Sequence, residues 1–198
     1  MSQSIRVTTR SNLNKEELWD MYRLRANIFK ERMGWDVSIM GGMEIDGYDA
    51  LDPSYMVIYE HGNVVRGCCR LLPTDGPYML KDTFPELLHG QPAPEDKTVW
   101  ELSRFAIKTD GANKFGFAEL ALDSMREMVS FGDRMGIDRF VIVTTTAVER
   151  LLQKAGIAIK RFGPPIRIGV ENSVALDIDL GDITHLALFG ERIKQMAL

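Results

Sequence analysis

Little in this chain suits metal binding or crosslinking. Two cysteines and three histidines occur in 198 residues. Cys68 and Cys69 are neighbours, a poor geometry for a disulfide, and read as small strand residues in a reducing compartment. His61, His89 and His185 lack the spacing of metal ligands, and two cysteines cannot build a zinc site, so no metal is expected. No run of about 18 apolar residues occurs, which argues against a membrane span. The opening "MSQSIRVTTR" lacks the apolar core of a signal peptide, so a cytoplasmic location is expected. A net charge of −4 argues against nucleic acid as the main partner. The glycines of "GANKFGFA" are spaced as in a phosphate loop, but Phe-Ala stands where Lys-Ser/Thr is needed. Nucleophile-elbow and dinucleotide signatures are missing too.

What remains is an ordinary globular composition, 45% hydrophobic and 26% charged, with length for one well-buried domain over residues 1–198. "SIRVTTR" reads as a first strand. Asn14 and Glu17 form a capping pair that opens a helix through "KEELWDMYRLRANIFKER". A long acidic, glycine-rich loop covers 34–54, and loops of that length in compact domains tend to be functional. A hairpin follows at 55–73, then an irregular stretch with a short helix near 81–88 and a strand at "WELSRFAI". Residues 117–135 carry a helical apolar face that stops at Gly136. "RFVIVTTT" is a buried strand, "AVERLLQKAG" a short helix, and the last strands are "IAIKRFG", "IRIGV" and "SVALDIDL". This order predicts an α+β fold with helices packed on a mixed sheet.

The chemistry lies in misplaced charges. "WELSRFAIK" has the apolar content of a core strand yet carries Glu101 and Arg104, which strict alternation would send to opposite faces. Arg25 sits on the apolar face of the first helix and Arg70 in the second hairpin strand, while Asp46 and Asp49 lie in the acidic loop. Three bases and three acids can satisfy one another in one network, and such networks more often shape a site than add stability. A β-bulge between Glu101 and Arg104 would bring both to one face and free a backbone amide for an oxyanion, a device of acyl transfer. A snorkelling Arg25 and a purely structural ion-pair network are the plainer alternatives.

Arg25-x-x-x-Phe29, Trp35, Asp46-x-x-Asp49, Arg70 and Glu101-x-x-Arg104 together resemble the signature of the acyl-homoserine-lactone synthases, the autoinducer synthases of bacterial quorum sensing. All eight positions match in type and order, and "FKERMGWDV", "MEIDGYDALDP", "GPYMLKDTFPELLHG" and "WELSRFAI" are similar to the long-chain members. The resemblance spans roughly residues 18 to 180. It implies a GNAT-like acyltransferase fold, a twisted mixed sheet with helices on both faces and a V-shaped central cleft. It also implies transfer of an acyl group to the amine of S-adenosylmethionine, closure of the lactone and release of methylthioadenosine. The donor is expected to be acyl carrier protein, with phosphopantetheine arriving on the carrier and no resident cofactor. "KTDGANKFGFA" lacks the compact pyrophosphate loop of coenzyme A-dependent acetyltransferases, which favours the carrier.

The catalytic set implied is Glu101, Arg104, Arg70, Arg25, Asp46 and Asp49. Glu101 is expected to act as a base through a water, because neighbouring arginines would lower its pKa. Arg104 matches the methionine carboxylate in two-point geometry. Trp35 with the acidic loop suits a sulfonium cation, and Phe29 and Asp46 complete the expected S-adenosylmethionine contacts. The acyl tunnel is expected along Met79, Leu102, Phe105, Leu122, Met125, Ile142, Thr144, Val148, Leu152 and Ile178, any one of which could equally be core. Thr144 would donate to a 3-oxo group, which with the long-chain resemblance predicts a 3-oxo chain of about ten to twelve carbons. Arg150, Lys154 and Lys160, with Arg161 and Arg167, form a basic patch suited to an acidic carrier, though a solvated face would look the same. A coenzyme A-dependent N-acyltransferase acting on another amine and a non-catalytic acyl-binding module remain the rival readings.

Overall fold

The computed structural model describes residues 3–62, 64–108 and 114–190, with only the backbone at 114 and 115. Segment 109–113, the centre of the expected departure from the acetyltransferase pyrophosphate loop, lies outside the described residues.

Strand β1 (Gln3–Thr9) leads into helix α1 (Lys15–Arg25), opened by the predicted capping box: Asn14 Oδ1 accepts from Glu17 N and Glu17 Oε2 from Asn14 N, each at 2.9 Å. The helix widens into a π-turn over Ala26–Arg32, a form that often marks functional sites. The acidic loop holds a small hairpin, β2 (Ile39–Met40) with β3 (Met43–Glu44), and a 3-10 turn at Gly47–Ala50. Next come β4 (Ser54–Glu60), β5 (Val64–Pro73), the one-turn helix α2 (Met79–Asp82) and β6 (Val99–Ile107). Helix α3 (Lys114–Met135), β7 (Arg139–Thr145) and α4 (Thr146–Lys154) follow. Short strands β8 (Ile159–Arg161) and β9 (Ile166–Ile168), then β10 (Glu171–Asp179) and α5 (Asp182–Phe189), complete the chain. The sequence reading missed the β2–β3 hairpin and α5.

Among the described residues the sheet has eight strands, ordered β1-β4-β5-β6-β7-β10-β8, with β9 pairing β10. Alternation along β4 sorts its two faces: Met56 and Ile58 join a core with Met125 and Met128 of α3, while Tyr55, Val57 and Tyr59 pack towards Met21, Tyr22 and Phe29 on the α1 side. Helices therefore cover both faces.

The one parallel pairing among the described residues positions the site. β6 and β7 are in register from Val99↔Arg139 to Leu102↔Ile142 and pair no further, although both strands continue. Beyond that seam they diverge as a V.

Candidate active site

The cleft begins with a fault in β6. Its pairing with β5 runs Arg70↔Ser103 and then Cys68↔Ala106, so Arg104 and Phe105 together face Cys69. This bulge lies at Arg104–Phe105, one step later than the sequence reading put it. Arg104 takes φ +55°, an uncommon conformation for a non-glycine residue that turns its side chain to the face carrying Glu101 and Ser103. Two charges in one core strand thereby come to share a face.

Glu101 is buried, but an arginine does not hold it. Its carboxylate accepts Met79 N at 3.0 Å and Leu80 N at 2.7 Å, the free first-turn amides of α2, so it caps that helix from a neighbouring strand. Burial pushes its pKa above the ordinary glutamate value, against the amide hydrogen bonds and the nearby Arg70 charge. The expectation that arginines depress it is corrected here: desolvation outweighs them.

The arginines are satisfied by the acidic loop. Arg25, fully buried, grips Asp49 with two nitrogens at 2.7 and 2.9 Å and donates its Nε to Glu44. It is no snorkelling residue. Arg70 donates to Asp49 at 2.9 Å, to both oxygens of Asp46 and to Ser103 Oγ at 3.2 Å. Arg104 meets Glu44 through Nε at 3.1 Å and Nη2 at 2.9 Å, and Asp46 at 3.0 Å. The loop is fixed to present these carboxylates: Asp46 accepts from Tyr48 N at 3.0 Å, and Asp49 from Asp46 N at 2.9 Å. Burial opposes charge on Asp49, but the hydrogen bonds and charges of Arg25 and Arg70 prevail and hold its carboxyl well below the ordinary aspartate value. Glu44, the fully buried bridge between Arg25 and Arg104, was missed by the sequence reading. Among the loop's several acids only its place two residues after "GG", in a tight hairpin, set it apart.

Phe29 and Trp35 stack at 5.3 Å and 29°, with the Arg104 guanidinium 5.3 Å from the Phe29 ring centre. Phe84 meets Trp35 edge-on at 5.8 Å. Phe29, Trp35 and Phe84, with Glu101 and Arg104, line a cavity of about 550 Å³ between the diverging strands, whereas Arg25, Arg70, Asp46 and Asp49 stand behind it. Ser103, Arg104, Phe105 and Ile107 line one side, and Val143, Thr144 and Thr145 the other, closed by Ala147, Val148 and Leu151 of α4. No group of side chains suited to a metal ion occurs among the described residues.

Of the expected tunnel residues, Met79, Phe105, Thr144 and Val148 line this cavity. Leu102, Leu122, Met125, Ile142, Leu152 and Ile178 do not: they pack in or against the core between sheet and α3. The end of the β6–β7 pairing explains the split on the strands: Leu102 and Ile142 form its last pair and stay in the core, whereas Phe105 and Thr144 lie beyond it, where the strands part. Ile28, Met33, Phe84 and Phe117 line it instead.

Arg150 and Lys154 are exposed on α4, the helix that walls the cavity, and Lys160 and Arg167 are exposed nearby in sequence. Arg161 is taken by the buried Glu149. No helix among the described residues is long and apolar enough to cross a membrane.

Comparison with known proteins gives this geometry a context. The autoinducer synthase family profile matches residues 9–188. An acyl-homoserine-lactone synthase from Pseudomonas aeruginosa is 47% identical over 196 residues, 98% of each chain. The crystal structure of the synthase LasI superposes with a TM-score of 0.92 at 46% identity, covering 99% of each chain. BjaI, a CoA-dependent acyl-homoserine lactone synthase solved with SAM and isopentyl-CoA, superposes with a TM-score of 0.81 at 28% identity, over 94% of this chain and 86% of that one.

Proposed function

The chain belongs to the autoinducer synthase family, and from this premise we propose how it makes an acyl-homoserine lactone and from which substrates. It is an acyl-homoserine-lactone synthase with a GNAT-like fold. The amine substrate is S-adenosylmethionine, as supported by its presence in the BjaI structure. The acyl donor is a thioester on acyl carrier protein. Exposed Arg150 and Lys154, on the helix that walls the cavity, suit the docking of an acidic carrier.

The amine nitrogen attacks the thioester carbonyl carbon; the C–N bond forms, the C–S bond breaks, and the thiolate leaves to take up a proton. Glu101 accepts the proton that nitrogen loses, through a water, because its oxygens already serve two amides. The bulge at Arg104–Phe105 leaves an amide outside the strand ladder to stabilise the carbonyl oxygen as it becomes anionic. A carboxylate oxygen of the methionyl group then attacks its own γ-carbon; the C–O bond closes the lactone as the C–S⁺ bond breaks, and the electron pair leaves with methylthioadenosine. Arg104 orients that carboxylate, while the stacked Phe29–Trp35 pair and the acids of the loop attract the sulfonium. The acyl chain runs along Phe105, Val148 and Leu151, and Thr144, whose hydroxyl has no hydrogen-bond partner among the described residues, meets a 3-oxo group on a long chain.

One observation carries this reading: a cavity opened where β6 and β7 part, with Glu101 and Arg104 at one end and apolar walls at the other. Mass spectrometry of the purified chain with S-adenosylmethionine and either acyl carrier protein or coenzyme A thioesters tests it. A 3-oxo lactone of about ten to twelve carbons, formed faster from the carrier, is expected. Equal or faster turnover of coenzyme A thioesters would assign the donor the other way, and products of four to six carbons would refute the long-chain reading.

A further inference from the structure

The hydrogen bonds of the three guanidinium groups single out Met79. Arg25 gives all three nitrogens to Glu44 and Asp49. One nitrogen ends on a far weaker acceptor: Arg104 Nη1 donates to the Met79 sulfur at 3.1 Å, and Arg70 Nη2, which also donates to Asp46 at 3.1 Å, reaches the same sulfur at 3.0 Å. A thioether is a poor acceptor, whereas the favoured partner of a guanidinium is a carboxylate. Met79 and Arg104 both line the cavity, so the sulfur stands where the cluster faces the substrate space. The backbone of the same residue is fixed, because Met79 N donates to Glu101. Its side chain, unbranched with three rotatable bonds, can move while that backbone stays.

We propose that the Met79 thioether is a built-in plug of a carboxylate seat. In the empty enzyme it satisfies N–H groups of Arg104 and Arg70 that would otherwise be buried and unpaired. The substrate carboxylate displaces it and takes charge-assisted bonds in its place. An amine without a carboxylate leaves the plug seated, so the device selects for an amino acid substrate beside the base that acts on its amine. The inference deepens the reading above and rests on S-adenosylmethionine being the substrate.

Calorimetric titration of the full chain with S-adenosylmethionine and with its decarboxylated analogue tests the plug. Met79→Leu removes the acceptor at nearly constant volume. The affinity ratio between the two ligands should rise by about threefold to tenfold, the worth of one such hydrogen bond. Met79→Gln offers a stronger acceptor and should lower the ratio, an opposite movement that a merely structural role for Met79 would not produce. If wild type binds S-adenosylmethionine but the ratio is the same in all three proteins, the plug is overturned while the substrate stands. If wild type binds neither ligand, the substrate reading falls and the plug with it.

Discussion

Glu101 combines two duties that pull against each other. Its carboxylate holds the start of α2, and burial keeps its pKa above the ordinary value. A base works only when deprotonated, so activity should fall as pH drops through this raised pKa, at a higher pH than an ordinary carboxylate would give. Glu101→Gln should lower kcat by about 10²-fold or more and abolish that acidic limb; a folded variant of near-normal rate would end the assignment. Glu44 differs in kind, a structural acid clamped between Arg25 and Arg104. Glu44→Gln leaves two buried cations short of a partner and should cost about 3–5 kcal/mol in urea unfolding; a loss below about 1 kcal/mol would mean the cluster does not need it. These two residues also mark the limits of legibility. Glu101 was conspicuous as a charge in an apolar run, but its partners are backbone amides, which no side-chain pattern announces. Glu44 was hidden by the opposite circumstance, an acid among acids.

At the scale of elements, periodicity carried most of the reading. The Asn14–Glu17 box, the α3 face and the β4–β5 hairpin all follow from spacing, because each has one buried face. Spacing failed where two kinds of apolar environment exist. Met125 and Leu152 share their chemistry with Phe105 and Val148, yet the first pair fills core and the second lines the cleft. The divergence of β6 and β7 decides which is which, and it is a property of the sheet. Helix α4 couples cleft to surface: Val148 and Leu151 face the cavity while Arg150 and Lys154 face solvent. Reversing both charges to Glu should raise the carrier-protein KM several-fold, on the order of 1 kcal/mol, and leave the KM for S-adenosylmethionine unchanged. A carrier KM indifferent to both salt and charge reversal would remove the patch from the docking surface.

For the whole molecule, the buried cluster couples folding to acidity. Asp49 has a folded pKa below its unfolded value near 3.8, so its contribution is present above that value and lost as pH falls through and below it. Glu101 has the opposite sign: its raised pKa means protonation favours the folded state and offsets part of the loss. The unfolding midpoint should therefore drop as pH falls below about 4, and the slope there should flatten in Asp49→Asn, measured by thermal denaturation across that range. An unchanged slope would show that Asp49 is not a source of acid lability.

The short seam between β6 and β7 makes the sheet two blades joined along four residue pairs, Val99↔Arg139 to Leu102↔Ile142. Beyond it, backbone amides that point across the gap have no ladder partner, so deuterium from the solvent enters there faster than at the seam. A pantetheine arm, which carries amides of its own, can lie between the blades as a temporary strand. Loading of such a donor should therefore leave a backbone signature at Ser103–Ile107 and Val143–Thr145, a slowing of isotope uptake that precedes any bond being made or broken.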